Sequence, residues 1–377
     1  VTLPPPLDWR TAGIGPEPEL PPERRVTREN WRTWPYMRWS FQHARELAPS
    51  RALPRAVNPR ALPVELADLA FDWPGFLGAT YTDALILLHR GRIVFEHYAN
   101  GMTPGTPHMA FSITKSMIGL VAERLIALGL LDPESPAERH VPELAQSGFA
   151  GVSLRHLLDM TDGVAFDEDY ANPDADVHRY SGAYWGAAGG GTLTGLRSLT
   201  ARSAEAGASF RYRTPVADAL GLVLRRATGT RLSDLVAEHV WFPAGCADEA
   251  YMLVDTAGME ISGTGLNATA RDLARVCLWL MESGQTELRA ALMTGGDRDL
   301  FAQASTGRGE GSYRSFWWID HADPPLLAAN GVFGQRMWID SANQLAMVRF
   351  GSHPVASNLY TEELHRTALA AIRAALA

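Results

Sequence analysis

Lysine is almost missing from this chain. Lys115 is the one lysine among 34 basic side chains in 377 residues, so every other basic residue is arginine. Cysteine is scarce as well. Cys246 and Cys277 stand in no Cys-x-x-Cys pattern, which excludes a disulfide-dense scaffold. Two buried thiols are expected, as suits a reducing compartment. Long apolar runs are absent. The longest, Val276–Met281, is far short of the ~20 residues needed to cross a bilayer. No block of like charge occurs and the net charge is −8, so the basic patch of nucleic-acid proteins is missing. Neither nucleic acid nor membrane is expected as a partner.

Other chemistry is missing too. There is no H-E-x-x-H and no Cys/His ligand cluster, so no metal is expected. The 11 histidines are scattered, and His156, in "LRHLL", reads as a packed helix residue. No G-x-S-x-G occurs, so nucleophile-elbow hydrolases offer no serine. The opening "VTLPPPLDWR" lacks a charged region followed by an apolar one, and a cytoplasmic protein is expected. The chain starts at Val, so a trimmed leader stays open.

Residues 1–63 hold 12 of the 24 prolines, which excludes long helices there. They also hold Trp9, Trp31, Trp34 and Trp39, so this segment is expected to be an extended arm docked on the body. "ALILLHRGRIVFEHYANG" (84–101) predicts two strands around a turn at Arg90-Gly91. Helical spacing then takes over in 116–132, in 153–163 after a Ser cap, and in 214–229 with Thr214 as cap and Pro215 in the first turn. Residues 267–281 predict a further helix, with Thr269 and Asp272 resembling a capping box. Strand character returns in 315–320, 335–340 and 344–351, and 361–377 reads as a closing helix. "GAAGGGTLTG" (186–195) follows no strand and is expected to be a mobile loop. The order strands, helices, strands predicts an antiparallel sheet built from both chain ends, flanked by helices, with an all-helical lobe inserted. The expected units are the arm 1–63, a sheet domain of 64–105 and 262–377, and a helical domain of 106–261.

The lone lysine sits three residues after Ser112. A surface cation could as well be arginine, this chain's habitual choice. Arginine cannot give up its proton, whereas lysine can when it is buried. In a helix starting near Ser112, residues three apart lie ~4.5 Å apart along the axis on nearly the same face. An amine there can take the proton of the hydroxyl. The free N–H groups and dipole of a helix start favour the alkoxide.

Ser112-Ile-Thr-Lys115, Tyr212-Arg-Thr214 and the segment Gly331–Gly334, in that order, resemble the three motifs of serine β-lactamases and penicillin-binding proteins. "DEDYANP", "TARDLARV" and "GVFGQRMWID" are similar to one branch, the β-lactamase-fold (family VIII) carboxylesterases and 6-aminohexanoate-dimer (nylon-oligomer) hydrolases. The likeness runs from about Trp39 to Met347. It implies an α/β (α+β) fold of the β-lactamase/penicillin-binding-protein type and hydrolysis of a small-molecule ester or amide. Ser112 would be the nucleophile, Lys115 its base and Tyr212 the second member of the proton relay. The backbone N–H groups of Ser112 and Val332 would form the oxyanion hole. Tyr170, Trp185 and Phe333 would touch substrate. No cofactor is implied, and a homodimer stays open.

Three departures matter. The second motif has Thr214 where Asn or Ser is usual, and its side chain could be spent on capping. The third motif has no Lys to hold a β-lactam or peptide carboxylate. The nylon-hydrolase branch carries an acid where Ser181 stands, and Asp174 or Asp176 could substitute for it. "DED" before Tyr170 could be only a solvated acidic loop. A β-lactamase or D-alanyl-D-alanine peptidase is the alternative enzyme, and a catalytically idle binding protein the alternative from another class.

Overall fold

The computed structural model describes residues 3–186, 190–304 and 310–376. Among them are eleven strands. The first six are β1 (Ser50–Leu53), β2 (Thr82–His89), β3 (Arg92–Tyr98), β4 (His108–Met109), β5 (Ala250–Leu253) and β6 (Leu266–Ala268). The rest are β7 (Gly311–Arg314), β8 (Trp317–Asp320), β9 (Leu326–Gly331), β10 (Gln335–Asp340) and β11 (Leu345–Gly351). Seven form one antiparallel sheet in the order β3-β2-β11-β10-β9-β8-β7. Both ends of the chain feed it, as the pattern of the sequence predicts.

The β2–β3 turn falls at Arg90-Gly91, where both residues have positive φ (48° and 79°), as a tight two-residue hairpin requires. Side chains of β2 alternate between two covered faces. Leu85 and Leu87 meet Trp338, Met347, Leu369 and Ile372 under the closing helix Glu362–Leu376. Ile86 and Leu88 belong to the larger core with Ile118, Leu273 and Val276. Two covered faces explain the unbroken apolar run in that strand. Each such side chain contributes about 1.5–3 kcal/mol on burial.

The helix Ile113–Ala127 runs between the sheet and the helical lobe. Twelve of its 15 residues are buried, so it is enclosed all round rather than amphipathic. Gly119 is required at the tightest approach: a Cβ there would meet the Ser315 carbonyl oxygen at 1.9 Å. The helix Thr214–Thr228 ends on Gly229 at φ 69°, as the sequence predicts.

A second, four-stranded sheet of order β1-β5-β6-β4 has no counterpart in the sequence reading. Strands of two to four residues carry too little pattern to be seen. Its edge strand β1 comes from the proline-rich arm and pairs with β5. The N-terminal segment packs on the sheet: Trp39 is buried, and Arg38 meets Asp83 on β2 at 2.8 Å with both side chains buried.

Three local expectations change. Residues 191–195 of the glycine-rich stretch open the helix Gly191–Ser198 rather than a loop, started by Thr192 N–H donating to the Asp255 carboxylate at 2.6 Å. That acceptor is 63 residues away, so local sequence gave no sign of it. Residues 187–189 of that stretch lie outside the described residues. Thr269 caps its helix by accepting from Asp272 N–H, but the Asp272 carboxylate turns away to accept from Ala247 and Asp248 N–H, so the capping box is half made. Thr214 is not a cap; its side chain is used elsewhere.

Candidate active site

Ser112 precedes the first turn of the central helix. Its side chain caps nothing and is free for other work. Lys115, one turn on, is fully buried. Its Nζ lies 2.9 Å from Ser112 Oγ and donates to the Gly263 carbonyl at 2.8 Å and to Thr214 Oγ1 at 3.2 Å. Phe111, just before the serine, holds a left-handed φ of 46°. That conformation costs energy for a non-glycine residue and is found most often at functional sites.

Each acceptor around Lys115 is itself fixed. Gly263 N–H donates to the Asp218 carboxylate at 2.8 Å, and Asp218 also accepts from the Tyr180 and Tyr184 hydroxyls. Thr214 opens its helix and gives its amide N–H to Glu168 at 2.8 Å and its hydroxyl hydrogen to the same carboxylate. Glu168 also accepts from the Tyr170 hydroxyl at 2.9 Å. Burial raises the Glu168 carboxyl above its ordinary value, opposed by the nearby Lys115. Burial likewise raises Asp218 and pushes Tyr170 far up, so both phenol and proton stay together there.

Tyr212 brings its ring to 5.2 Å from Lys115 Nζ and stacks on Trp318 at 5.5 Å between centroids. Ser112, Tyr212, Glu168, Tyr170 and Val332 line one cleft of about 850 Å³. The Val332 segment is stapled by Asn358, which donates to the Gly331 carbonyl at 2.8 Å and accepts from Gly334 N–H at 2.9 Å. Among the described residues, neither Ser112 N–H nor Val332 N–H is spent on a loop or side-chain acceptor. Trp185 and Phe333 line an adjoining chamber that shares Tyr170 and Val332 with the cleft. Trp185 is anchored by its indole N–H on the Val254 carbonyl at 2.8 Å.

The tertiary fold thus gathers Ser112, Lys115, Tyr212, Tyr170 and Val332 around one cleft and sets Trp185 and Phe333 next door. Four further residues escaped the sequence reading: Glu168, Asp218, Gly263 and Asn358. The "DED" run is only partly a solvated loop. Asp167 and Asp169 are exposed, whereas Glu168 and Tyr170 turn inward. That alternation is the one signal that could have found Glu168. Asp174 and Asp176 do not replace the missing acid at Ser181. Asp174 is exposed, Asp176 pairs with Arg179, and neither lines the chamber. No group of three or more His, Cys, Asp or Glu among the described residues could hold a metal ion. No helix among them is long and apolar enough to cross a membrane.

Known proteins have similar sequences and structures. The 6-aminohexanoate-dimer hydrolase of Paenarthrobacter ureafaciens is 30% identical over 346 residues, 87% of this chain and 88% of that protein. A Bacillus anthracis structure provisionally assigned as a 6-aminohexanoate-dimer hydrolase superposes with a TM-score of 0.83 at 25% identity, covering 93% of this chain and 98% of that one. EstCE1, a hydrolase with promiscuous acyltransferase activity, shares the fold at a TM-score of 0.60 and 20% identity, over 78% of this chain and 92% of its own. The family model described as Beta-lactamase matches residues 77–372, and the chain belongs to the Beta-lactamase family.

Proposed function

We propose that this chain cleaves a small-molecule ester or amide through an acyl-enzyme on Ser112. The observation that carries the reading is the buried Lys115 amine 2.9 Å from Ser112 Oγ. A neutral amine has two N–H bonds and one lone pair. Gly263 O can only accept, and Thr214 Oγ1 has given its hydrogen to Glu168. These two take the N–H bonds, which leaves the lone pair for the serine hydroxyl. As Oγ attacks the carbonyl carbon, its proton passes to Lys115 and onward through Tyr212 to the leaving oxygen or nitrogen. The Ser112 and Val332 N–H groups receive the oxyanion, a contact whose loss typically costs ~10²–10³ in rate. Water then attacks the acyl-enzyme by the same relay in reverse.

Hydrolysis of p-nitrophenyl acetate by wild type and Ser112→Ala tests this. Loss of turnover in the variant, with fluorophosphonate labelling of wild type at Ser112, is expected; equal rates end the reading. An idle binding protein would not label. A β-lactamase or peptidase would turn over nitrocefin at least as fast as the ester, but Asn330–Gly334 offers no lysine to hold that class of carboxylate. The free, buried Cys246 and Cys277 support a reducing compartment, the cytoplasm.

A further inference from the structure

The chamber beside the catalytic cleft has a volume of about 500 Å³. Trp31, Phe111, Tyr184, Trp185 and Phe333 give it aromatic walls, and Arg32 from the N-terminal arm lines it too. Among the described residues, no carboxylate pairs with Arg32 and no acceptor takes its N–H groups. Its guanidinium lies 5.3 Å from the Trp31 ring, with Tyr170 and Tyr184 as its electrostatic neighbours. Those phenols are spent, since Tyr170 donates to Glu168 and Tyr184 to Asp218. Burial keeps both phenols protonated, so neither offsets the cation. Ser181 gives its hydroxyl to the Val177 carbonyl. His178 also lines the chamber, and its Nε2 is buried without a partner. Arg28 and Glu29 stand exposed at the mouth.

An arginine cannot neutralise itself by losing its proton. Arg32 is half-buried on the chamber wall, and a carboxylate entering the chamber would meet its free guanidinium in a two-pronged, charge-assisted contact. The position of Tyr212 decides which half of the substrate comes here. Tyr212 lines the cleft and not the chamber, and the leaving group must lie where the phenol can protonate it. The acyl half therefore occupies the chamber.

We propose that Arg32 binds a carboxylate at the far end of the acyl group, so that the substrates are monoesters or monoamides of aliphatic dicarboxylic acids. This rests on the acyl-transfer reading above. Ser112 Oγ bonds to the carbonyl carbon, the C–O or C–N bond to the leaving group breaks, and its proton goes to the leaving atom. Water then releases the dicarboxylate. A chamber with a cation and no inward acid selects against an acyl chain ending in an amine.

The test compares three p-nitrophenyl esters: of adipic acid, of monomethyl adipate and of 6-aminohexanoic acid. In wild type the free acid is expected to exceed the methyl-capped ester in kcat/KM by about 10- to 100-fold, the effect of one hydrogen-bonded charge. In Arg32→Gln the ratio should fall to about one. In Arg32→Glu the amine-ended ester should become the preferred substrate of the three. Ratios within one protein cancel losses from misfolding. A wild-type ratio near one, or a ratio unchanged in Arg32→Gln, overturns the proposal. Calorimetry of adipate with Ser112→Ala and with Ser112→Ala/Arg32→Gln gives an answer independent of turnover. At least tenfold weaker binding in the double variant is expected, and equal binding overturns the proposal. If wild type hydrolyses none of the esters, the acyl-transfer reading fails, while adipate binding still decides the role of Arg32.

Discussion

Glu168 takes both polar hydrogens of Thr214, the amide at 2.8 Å and the hydroxyl. The threonine oxygen is thereby left as a pure acceptor facing Lys115 Nζ at 3.2 Å. A loop carboxylate thus fixes the direction of the hydrogen bond at the amine and caps the helix Thr214–Thr228 from 46 residues away. It fills the negative place that a helix start favours.

Glu168→Gln keeps the shape and removes the charge. An amide can no longer accept from all three donors, and kcat is expected to fall about 10- to 100-fold while KM moves less. The pH dependence carries a sign. Burial raises this carboxyl above 4.5, so the folded protein holds the proton more tightly than the unfolded chain. Its contribution to stability is therefore greatest at low pH and declines as pH rises from 4.5 through the raised value. Urea midpoints measured across that window should show a shallower decline in Glu168→Gln. Parallel curves for the two proteins would contradict the buried, charged role.

Lys115→Arg keeps a basic, hydrogen-bonding side chain but removes the base, because a guanidinium does not give up its proton. Activity should drop by about four to six orders of magnitude, as for other members of a nucleophile–base unit. Lys115 is fully buried, so stability is measured alongside. A variant that folds and keeps more than a tenth of wild-type kcat would show that position 115 need not lose a proton.

Tyr212→Phe keeps the ring stacked on Trp318 and removes only the hydroxyl. A proton-relay role predicts a loss of about 10²–10⁴ in kcat, with an unchanged denaturation midpoint. A leaving group that needs no proton, p-nitrophenolate, should suffer less than an alkyl ester or amide. Equal losses on both would argue for packing instead.

Asp83→Asn tests how the arm is held. Burial opposes the Asp83 charge, yet Arg38, His108 and Ser352 together hold the carboxyl below its ordinary 3.8. Its contribution is fully present above the unfolded value and is lost as pH falls through the lowered folded one. Removing one partner of this buried pair should cost about 3–5 kcal/mol at neutral pH, measured by chemical denaturation. The loss should shrink toward pH 3.

Much of the fold was legible because its signals are local. The hairpin of β2 and β3 shows in an apolar run interrupted by Arg90-Gly91, and Gly229 marks a helix end by its left-handed backbone. The second sheet was not legible, since β4 has two residues and β6 three, and its pairs β1–β5 and β4–β6 join distant segments of the chain. The helix at 191–198 was hidden for the same reason: the carboxylate that starts it, Asp255, comes from another part of the chain.

The sequence by itself determined that Ser112 and Lys115 meet, because their i, i+3 spacing on a helix is set by backbone geometry alone and the lone lysine marks it. Only the tertiary structure decided what surrounds that pair. Glu168, Asp218 and Gly263 come from three distant segments, and Arg32 reaches the neighbouring chamber from an arm that sequence showed only as proline-rich. Hydrogen-bond direction and the pairing of a charge depend on which atoms meet across the fold, and no local periodicity records that.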